Sequence, residues 1–315
     1  MQSALSALKD DLDLKIPPKQ VDRNILIATW NIRAFGKFTP KWRSTEKDRP
    51  KRDLLSIASI AEIISRFDIV AIQEVKANIS ALKVLMKLLG DEWGFILTDV
   101  TKGSSGNGER MAYVFDSRRV QLSGLASELV VPKEELNQIG EDALYKQFAR
   151  TPYAVSFRIG DQSSILVTLH ILYGKNAKSR IPELKAIAKW LSTWGKDANV
   201  YDKNLITLGD FNIDKRGDLL HKTFISEGLH IPTDMQSVTR SIFDKTKYYD
   251  HIAWFEGDKG HPQLSLEYIQ GGNYDFVETT LVKQKLSKNE LSWKISDHYP
   301  IWAEFSTRGR KNGKR

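Results

Sequence analysis

Polar residues stand where the apolar runs of this chain end. NILIATW closes on Asn31, DIVAIQ on Glu74, ILVTL on His170, and LITLG on Asp210 and Asn212. Asp250 opens HIAWF, and Asp297 and His298 lead into YPIWAEF. Short apolar runs of this kind read as buried strands. In α/β proteins, catalytic and ligand-holding groups gather at one end of the sheet, on turns that the strands hold rigid. Each residue taken singly has a plainer explanation, since Asp and Asn favour turns and helix caps. GDFN at residues 209–212 alone is as consistent with a turn as with a site. So many strand ends bearing Asn, Asp, Glu or His exceed what turn chemistry requires.

If these ends converge, the site offers hard oxygen donors (Glu74, Asp210, Asp297), amides (Asn31, Asn212) and two imidazoles (His170, His298). Carboxylates in a chain without cysteine suit Mg2+, with Mn2+ or Ca2+ as alternatives, rather than a structural zinc. Two histidines with separate carboxylate partners suit paired acid and base work. This is apparatus for hydrolysing a phosphate ester. A cation neutralises charge on a nonbridging oxygen, a base or orienting group readies water in line, and an acid protonates the leaving oxygen. His221, His230, His251 and His261 lie in no such context and read as surface or structural residues.

The elements that must position these groups alternate along the chain. Leu5, Leu8, Leu12 and Ile16 line one side of an N-terminal helix, and Pro17-Pro18 separates that helix from the rest of the chain. Strands are predicted at 24–29, 68–72, 93–98, 111–115, 154–159, 164–169, 205–208, 251–255 and 301–305. Helices are predicted at 50–67, 79–89, 180–194 and 218–226, and residues 127–148 read as an irregular surface excursion. Helices mixed with adjacent strands indicate an α/β protein with mixed sheets. The chain divides into a helical extension at 1–20, one compact domain at 21–306 and a basic, disordered tail at 307–315.

Composition sets outer bounds. The 315 residues are 41% hydrophobic and 27% charged with a net charge of +8, an ordinary globular balance tilted toward polyanions. The basic residues concentrate in 33–52 and in the tail. The absence of cysteine excludes disulfides, thiol nucleophiles and cysteine zinc sites. The N-terminus has no basic start followed by an apolar core, so no signal peptide is expected and the protein is placed in the cytoplasm.

The motifs TWNI (29–32), IQEV (72–75), GERMAYVF (108–115), TLH (168–170), GDFN (209–212), YDHI (249–252) and SDHYP (296–300) occur in an order that resembles the endonuclease/exonuclease/phosphatase superfamily, in its deoxyribonuclease I-like branch. The resemblance spans 24–305. It implies a four-layer α/β sandwich, two mixed β-sheets packed face to face with helices outside, and Mg2+-dependent phosphoester hydrolysis at the loops of one edge. By that resemblance Glu74 is the principal metal ligand with Asn31 nearby, and Asp297 is a second carboxylate on the metal side. Asp210 and Asn212 orient water and hold the phosphate. His298 with Asp250, and His170 with Glu109, form two acid/base units, with the assignment of acid and base left open.

Departures narrow the branch. Abasic-site endonucleases usually carry tyrosine where this chain has His170. Inositol polyphosphate phosphatases carry a cysteine-containing motif near the equivalent of Asp250, and pancreatic-type nucleases carry a disulfide. Neutral sphingomyelinases share the histidine pattern and remain an alternative, as does an inactive nucleic-acid-binding protein. The expected substrate is nucleic acid, DNA in preference to RNA, cut without sequence specificity to leave 5′-phosphate and 3′-hydroxyl ends. The loop at 33–52 should overhang the site, and Arg33, Arg110 and Arg150 are the candidate backbone contacts.

Overall fold

The computed structural model describes residues 2–101, 108–130, 148, 150–197, 202 and 204–308. The expected excursion falls outside these residues from 131 to 147, and so does the tail from 309 onward. β1 (Asn24–Phe35) shows how one strand serves two layers. Ile25 and Ile27 enter the apolar layer between the sheets, while Leu26, Ala28 and Trp30 enter the layer beneath the helices. Burial on both faces is why this strand reads as a nearly unbroken apolar run rather than an alternating one.

β1 pairs in parallel with β2 (Ile69–Lys76) and antiparallel with β12 (Ile301–Ser306). With β3 (Trp93–Leu97), β4 (Glu109–Asp116) and β11 (Glu267–Asn273) they form a six-stranded sheet ordered β11-β12-β1-β2-β4-β3. The second sheet comprises β5 (Gln121–Glu128), β6 (Tyr153–Ile159), β7 (Gln162–His170), β8 (Leu205–Asp210), β9 (Leu229–His230) and β10 (Asp250–Phe255). Its order is β5-β6-β7-β8-β10-β9, with β7 and β8 parallel. Tyr113, Phe157, Leu208 and Phe305 are among the side chains fully buried between the sheets. Each fully buried side chain of this size contributes about 1.5–3 kcal/mol.

Helices close the sandwich. α1 (Gln2–Lys15), α2 (Leu54–Ile64) and α3 (Ser80–Leu89) cover the first sheet. α4 (Ile181–Lys196) and α5 (Leu219–Ile225) cover the second, and α6 (Lys288–Lys294) lies beside β1. The leucine stripe of α1 is buried while Leu14 is 86% exposed. Tyr274 donates to Asp11 at 2.8 Å, so the helix is docked onto the domain. No helix among the described residues is long and apolar enough to cross a membrane.

The structure differs from the sequence reading in specific places. α2 begins at Leu54 rather than residue 50, because Asp53 caps it by accepting from Ser56 N at 2.9 Å. Residues 33–52 are not a single overhanging loop, since β1 continues to Phe35. Arg52 is buried and donates to the carbonyls of Arg33 (2.7 Å), Ala34 (3.1 Å), Lys294 (3.0 Å) and Ile295 (3.1 Å). Guanidinium, with five N–H donors in a rigid fork, here satisfies four carbonyls from two chain segments at once. β5, β9, β11 and α6 were not anticipated.

Candidate active site

The chain direction of each strand carries its polar end to one edge of the sandwich. Asn31 lies where the regular parallel pairing of β1 with β2 ends and Glu74 near the C-terminal end of β2, while His170 and Asp210 close parallel β7 and β8. Glu109 and Asp250 open β4 and β10, which run antiparallel to their neighbours and so begin where the others finish. His170 and Asp250 each sit in register beside Asp210. Gly209 makes this possible: at φ +146° a side chain would be strained, and a Cβ would lie 2.1 Å from the Leu169 carbonyl of β7. Phe211 turns back into the core against Phe224, ring centroids 4.4 Å apart.

The two sheets are joined beneath the site by side chains. Asn31 Nδ2 donates to Asp210 Oδ2 at 3.0 Å, and Gln73 Nε2 donates to Thr168 Oγ1 at 2.9 Å. Asn212 holds a left-handed backbone at φ +50°, donating its N–H to Asp210 Oδ1 at 2.9 Å and its amide to Ile171 O at 2.6 Å. Arg180, itself buried, donates to Asn212 O at 2.6 Å and to Asp214 at 3.0 Å, fixing the turn from behind.

His298 and Asp250 form a close pair, Nδ1 to Oδ2 at 2.8 Å. Burial opposes charge on the imidazole, but the carboxylates of Asp250, Asp210 and Asp297 outweigh it and hold His298 well above the usual histidine range. Its Nε2 lies 4.0 Å from Asp210 Oδ2. Burial, together with the Asp250 charge, pushes the Asp210 carboxyl up to about 6. Asp210, Asp250 and His298 place one potential ligand atom each within 4.8 Å of one another. The direct bond between Asp250 and His298 commits two of those groups to each other.

The expected partner unit differs. His170 Nδ1 stands 3.5 Å from Glu109 Oε2 and makes no hydrogen bond among the described residues. Glu109 is held by Lys76 Nζ at 2.7 Å and Arg150 Nε at 2.6 Å. Burial, with the nearby charges of Arg150, His298 and Lys76, keeps His170 well below the usual histidine range, hence neutral. Its Nε2 faces Asp210 Oδ2 at 3.6 Å.

Glu74 is displayed by a left-handed residue at φ +60°, and its Oε2 accepts from the N–H of Ala34, itself at φ +46°. Such conformations cost about 1–3 kcal/mol for residues with a Cβ and persist where surrounding structure enforces them. Burial, then repulsion from Glu109 and, more weakly, Asp297, raises the Glu74 pKa. Arg33 turns toward α6, where Nη1 bonds Ser292 Oγ at 2.6 Å and lies 3.9 Å from Asp297 Oδ2. Among the described residues Arg110 bonds the Thr98 carbonyl at 3.5 Å, and Arg150 sits buried behind Glu109. The structure therefore brings together Asn31, Glu74, Glu109, His170, Asp210, Asn212, Asp250, Asp297 and His298 at one edge, while the three arginines are engaged with protein groups.

Comparison with known proteins decides the family, because the Endonuclease/Exonuclease/phosphatase family matches residues 28–298. The chain belongs to the endonuclease/exonuclease/phosphatase family. A protein of Thioalkalivibrio sp. (strain K90mix) named deoxyribonuclease is 28% identical over 302 residues, covering 91% of this chain and 73% of that one. Among solved structures, a mannosyl-6-phosphatase of Bacteroides thetaiotaomicron VPI-5482 superposes with TM-score 0.58 at 17% identity, covering 89% of this chain and 99% of that one. D. rerio TDP2 complexed with single strand DNA product gives 0.55 at 14% identity, covering 90% and 98%. These two show the shared sandwich fold.

Several groups that shape this family member's site were not singled out from sequence. Arg240, 1% exposed, donates Nε to Asp250 O at 2.8 Å and Nη2 to Met235 O at 2.8 Å, and its own carbonyl accepts from Tyr299 N at 2.9 Å. It thus ties the Asp250 strand to the residue after His298. Ser296 accepts from Arg33 N and His298 N, both at 3.2 Å, and donates to Asn31 O at 2.6 Å. Tyr249 packs beside His298, ring centroids 5.4 Å apart. Lys76 comes one position after IQEV, and its proximity to a motif was its one signal in the sequence.

Proposed function

We propose that this family member is a divalent-metal-dependent DNA endonuclease of the cytoplasm, indifferent to base sequence and leaving 5′-phosphate and 3′-hydroxyl ends. The observation that carries the reading is the buried Asp210 carboxylate, flanked by neutral His170 at 3.6 Å and by the raised, Asp250-paired His298 at 4.0 Å. A base works best with a pKa near the ambient pH, and Asp210, pushed up to about 6, meets that condition. In this reading Asp210 takes the proton of the attacking water as its oxygen bonds phosphorus, the P–O3′ bond breaks, and protonated His298 gives its Nε2 proton to the departing 3′ oxygen. Neutral His170 and Asn212 orient the phosphate and the water. The relative named deoxyribonuclease supports DNA as substrate.

Glu74 and Asn31 fit a hard cation such as Mg2+, with Mn2+ or Ca2+ as substitutes. Asn31 Oδ1 is buried without a hydrogen-bond partner among the described residues, its amide nitrogen being held on Asp210. Glu74 and the neighbouring Asp297 supply carboxylate oxygens whose mutual repulsion a cation would relieve. When bound, the cation supplies charge neutralisation at a nonbridging phosphate oxygen.

Plasmid nicking with Mg2+, with and without EDTA, tests the reading on the wild type and on Glu74→Ala and His298→Ala. EDTA and both substitutions are expected to abolish nicking. Equal nicking by all three preparations would falsify the site. No nicking, with turnover of sphingomyelin or a small phosphate ester, would overturn the substrate.

A further inference from the structure

Beside the proposed centre lies a cleft of about 430 Å³ between residues 34–52 and α6. That volume lies within the range of ordinary ligand sites. Ala34 belongs to both places: it lines the cleft, and its N–H holds the Glu74 carboxylate at 2.8 Å. The outer wall is Trp293, 44% exposed, with the Arg33 guanidinium 3.8 Å from its ring centroid. Arg33 in turn reaches within 3.9 Å of Asp297, so the aromatic wall is tied to the site by one side chain.

The remaining lining combines Pro50, Asn289 and Glu290 with the basic residues Lys37, Arg49, Lys51 and Arg52. Lys37 makes no ion pair among the described residues, and Arg49 and Lys51 bond main-chain carbonyls of 45–48 rather than carboxylates. Their positive charge is therefore available to a ligand. Glu290, the acid in the lining, accepts from the Ser287 N–H at 2.9 Å in the capping box and offsets part of the charge of Lys51. Cations that outnumber the acid in the lining, around an exposed indole, combine attraction for phosphates with a stacking face that accepts any base.

We propose that this cleft binds one unpaired nucleotide of a nucleic-acid strand adjacent to the scissile phosphate, its base against Trp293 and its phosphates among Lys37, Arg49 and Lys51. The proposal deepens the nuclease reading and rests on it for the position of the scissile phosphate. A base within a duplex has both faces covered by its neighbours, so only a single-stranded or frayed segment can use the indole. The cleft thus favours single strands and unpaired ends over continuous duplex.

The test is fluorescence anisotropy with a labelled 12-nucleotide single strand and a blunt duplex of the same sequence, both in EDTA to prevent cleavage. Trp293→Ala is expected to weaken single-strand binding roughly tenfold or more, the size of one lost base stack. Duplex binding should change by less than about twofold, and Trp293→Phe should recover most of the loss because it keeps a ring. Unchanged single-strand binding in Trp293→Ala overturns the proposal, and so do equal losses on strand and duplex in both variants. A wild type that binds single strands through Trp293 yet never nicks DNA upholds the cleft and overturns the nuclease reading.

Discussion

The two histidine units of the site each set a carboxylate beside an imidazole and end in opposite states. Asp250 is bonded to His298 at 2.8 Å, whereas Glu109 stands 3.5 Å from His170 and is held by Lys76 and Arg150. Both imidazoles are buried, a condition that by itself favours the neutral ring. In His298 that penalty is outweighed by three carboxylates; in His170 it is reinforced by Arg150 and Lys76. A histidine's role here depends on what else its carboxylate neighbour binds. Glu109 is engaged by two cations, while Asp250 is bonded to the imidazole.

That contrast can be broken most forcefully at Asp250. Asp250→Ala is expected to lower kcat about 10²–10⁴-fold, the usual contribution of a positioned acid or base, with little change in KM. Steady-state kinetics on a defined DNA substrate check this, and a loss below about tenfold would make the dyad dispensable. Glu109→Gln should act chiefly on stability, since it strips buried Arg150 of this carboxylate. Breaking a buried ion pair costs about 3–5 kcal/mol. Urea denaturation reads the change, and a midpoint equal to wild type would show Glu109 to be no anchor.

The proton states sharpen the comparison further. With Asp210 near 6, log kcat should rise with pH below about 6 at about one unit per pH unit and then level, the acidic limb disappearing in Asp210→Asn. A limb that persists in that variant would assign the base elsewhere. The smallest effect concerns stability. His298 has a raised folded pKa, so its contribution is complete below about pH 6.5 and is lost as pH rises through that raised value. Asp210 is also raised, so its share falls with rising pH in a lower window, between about 4 and 6. Asp250→Asn should therefore flatten the decline in Tm from neutral to alkaline pH, and an unaltered slope would remove His298 from the balance.

Much of this was legible in the residues. Strands such as LITLG and DIVAI declare themselves by apolar runs, and their length puts the next polar residue at the edge of the sheet. The elements that escaped were those with weak local signals. β11 is an edge strand with two glycines, and β5 carries a bulge that breaks its alternation. α6 is seven residues long, yet its Ser287–Glu290 capping box was a readable start signal. Arg52 and Arg240 look in sequence like any other basic residues, and only the carbonyls converging on them from distant segments show them to be clamps.

The order of groups along the chain is sequence information: Asn31, Glu74, His170 and Asp210 are marked by where apolar runs stop, Asp250 and His298 by where they start. Pairing and charge are not. Whether a carboxylate binds an imidazole or a guanidinium depends on side chains delivered by strands far apart in the chain. A buried proton moves with every charge within a few ångströms. Only the closure of the two sheets brings Asp210 between His170 and His298, and only there does its carboxyl approach a pKa suited to taking a proton from water.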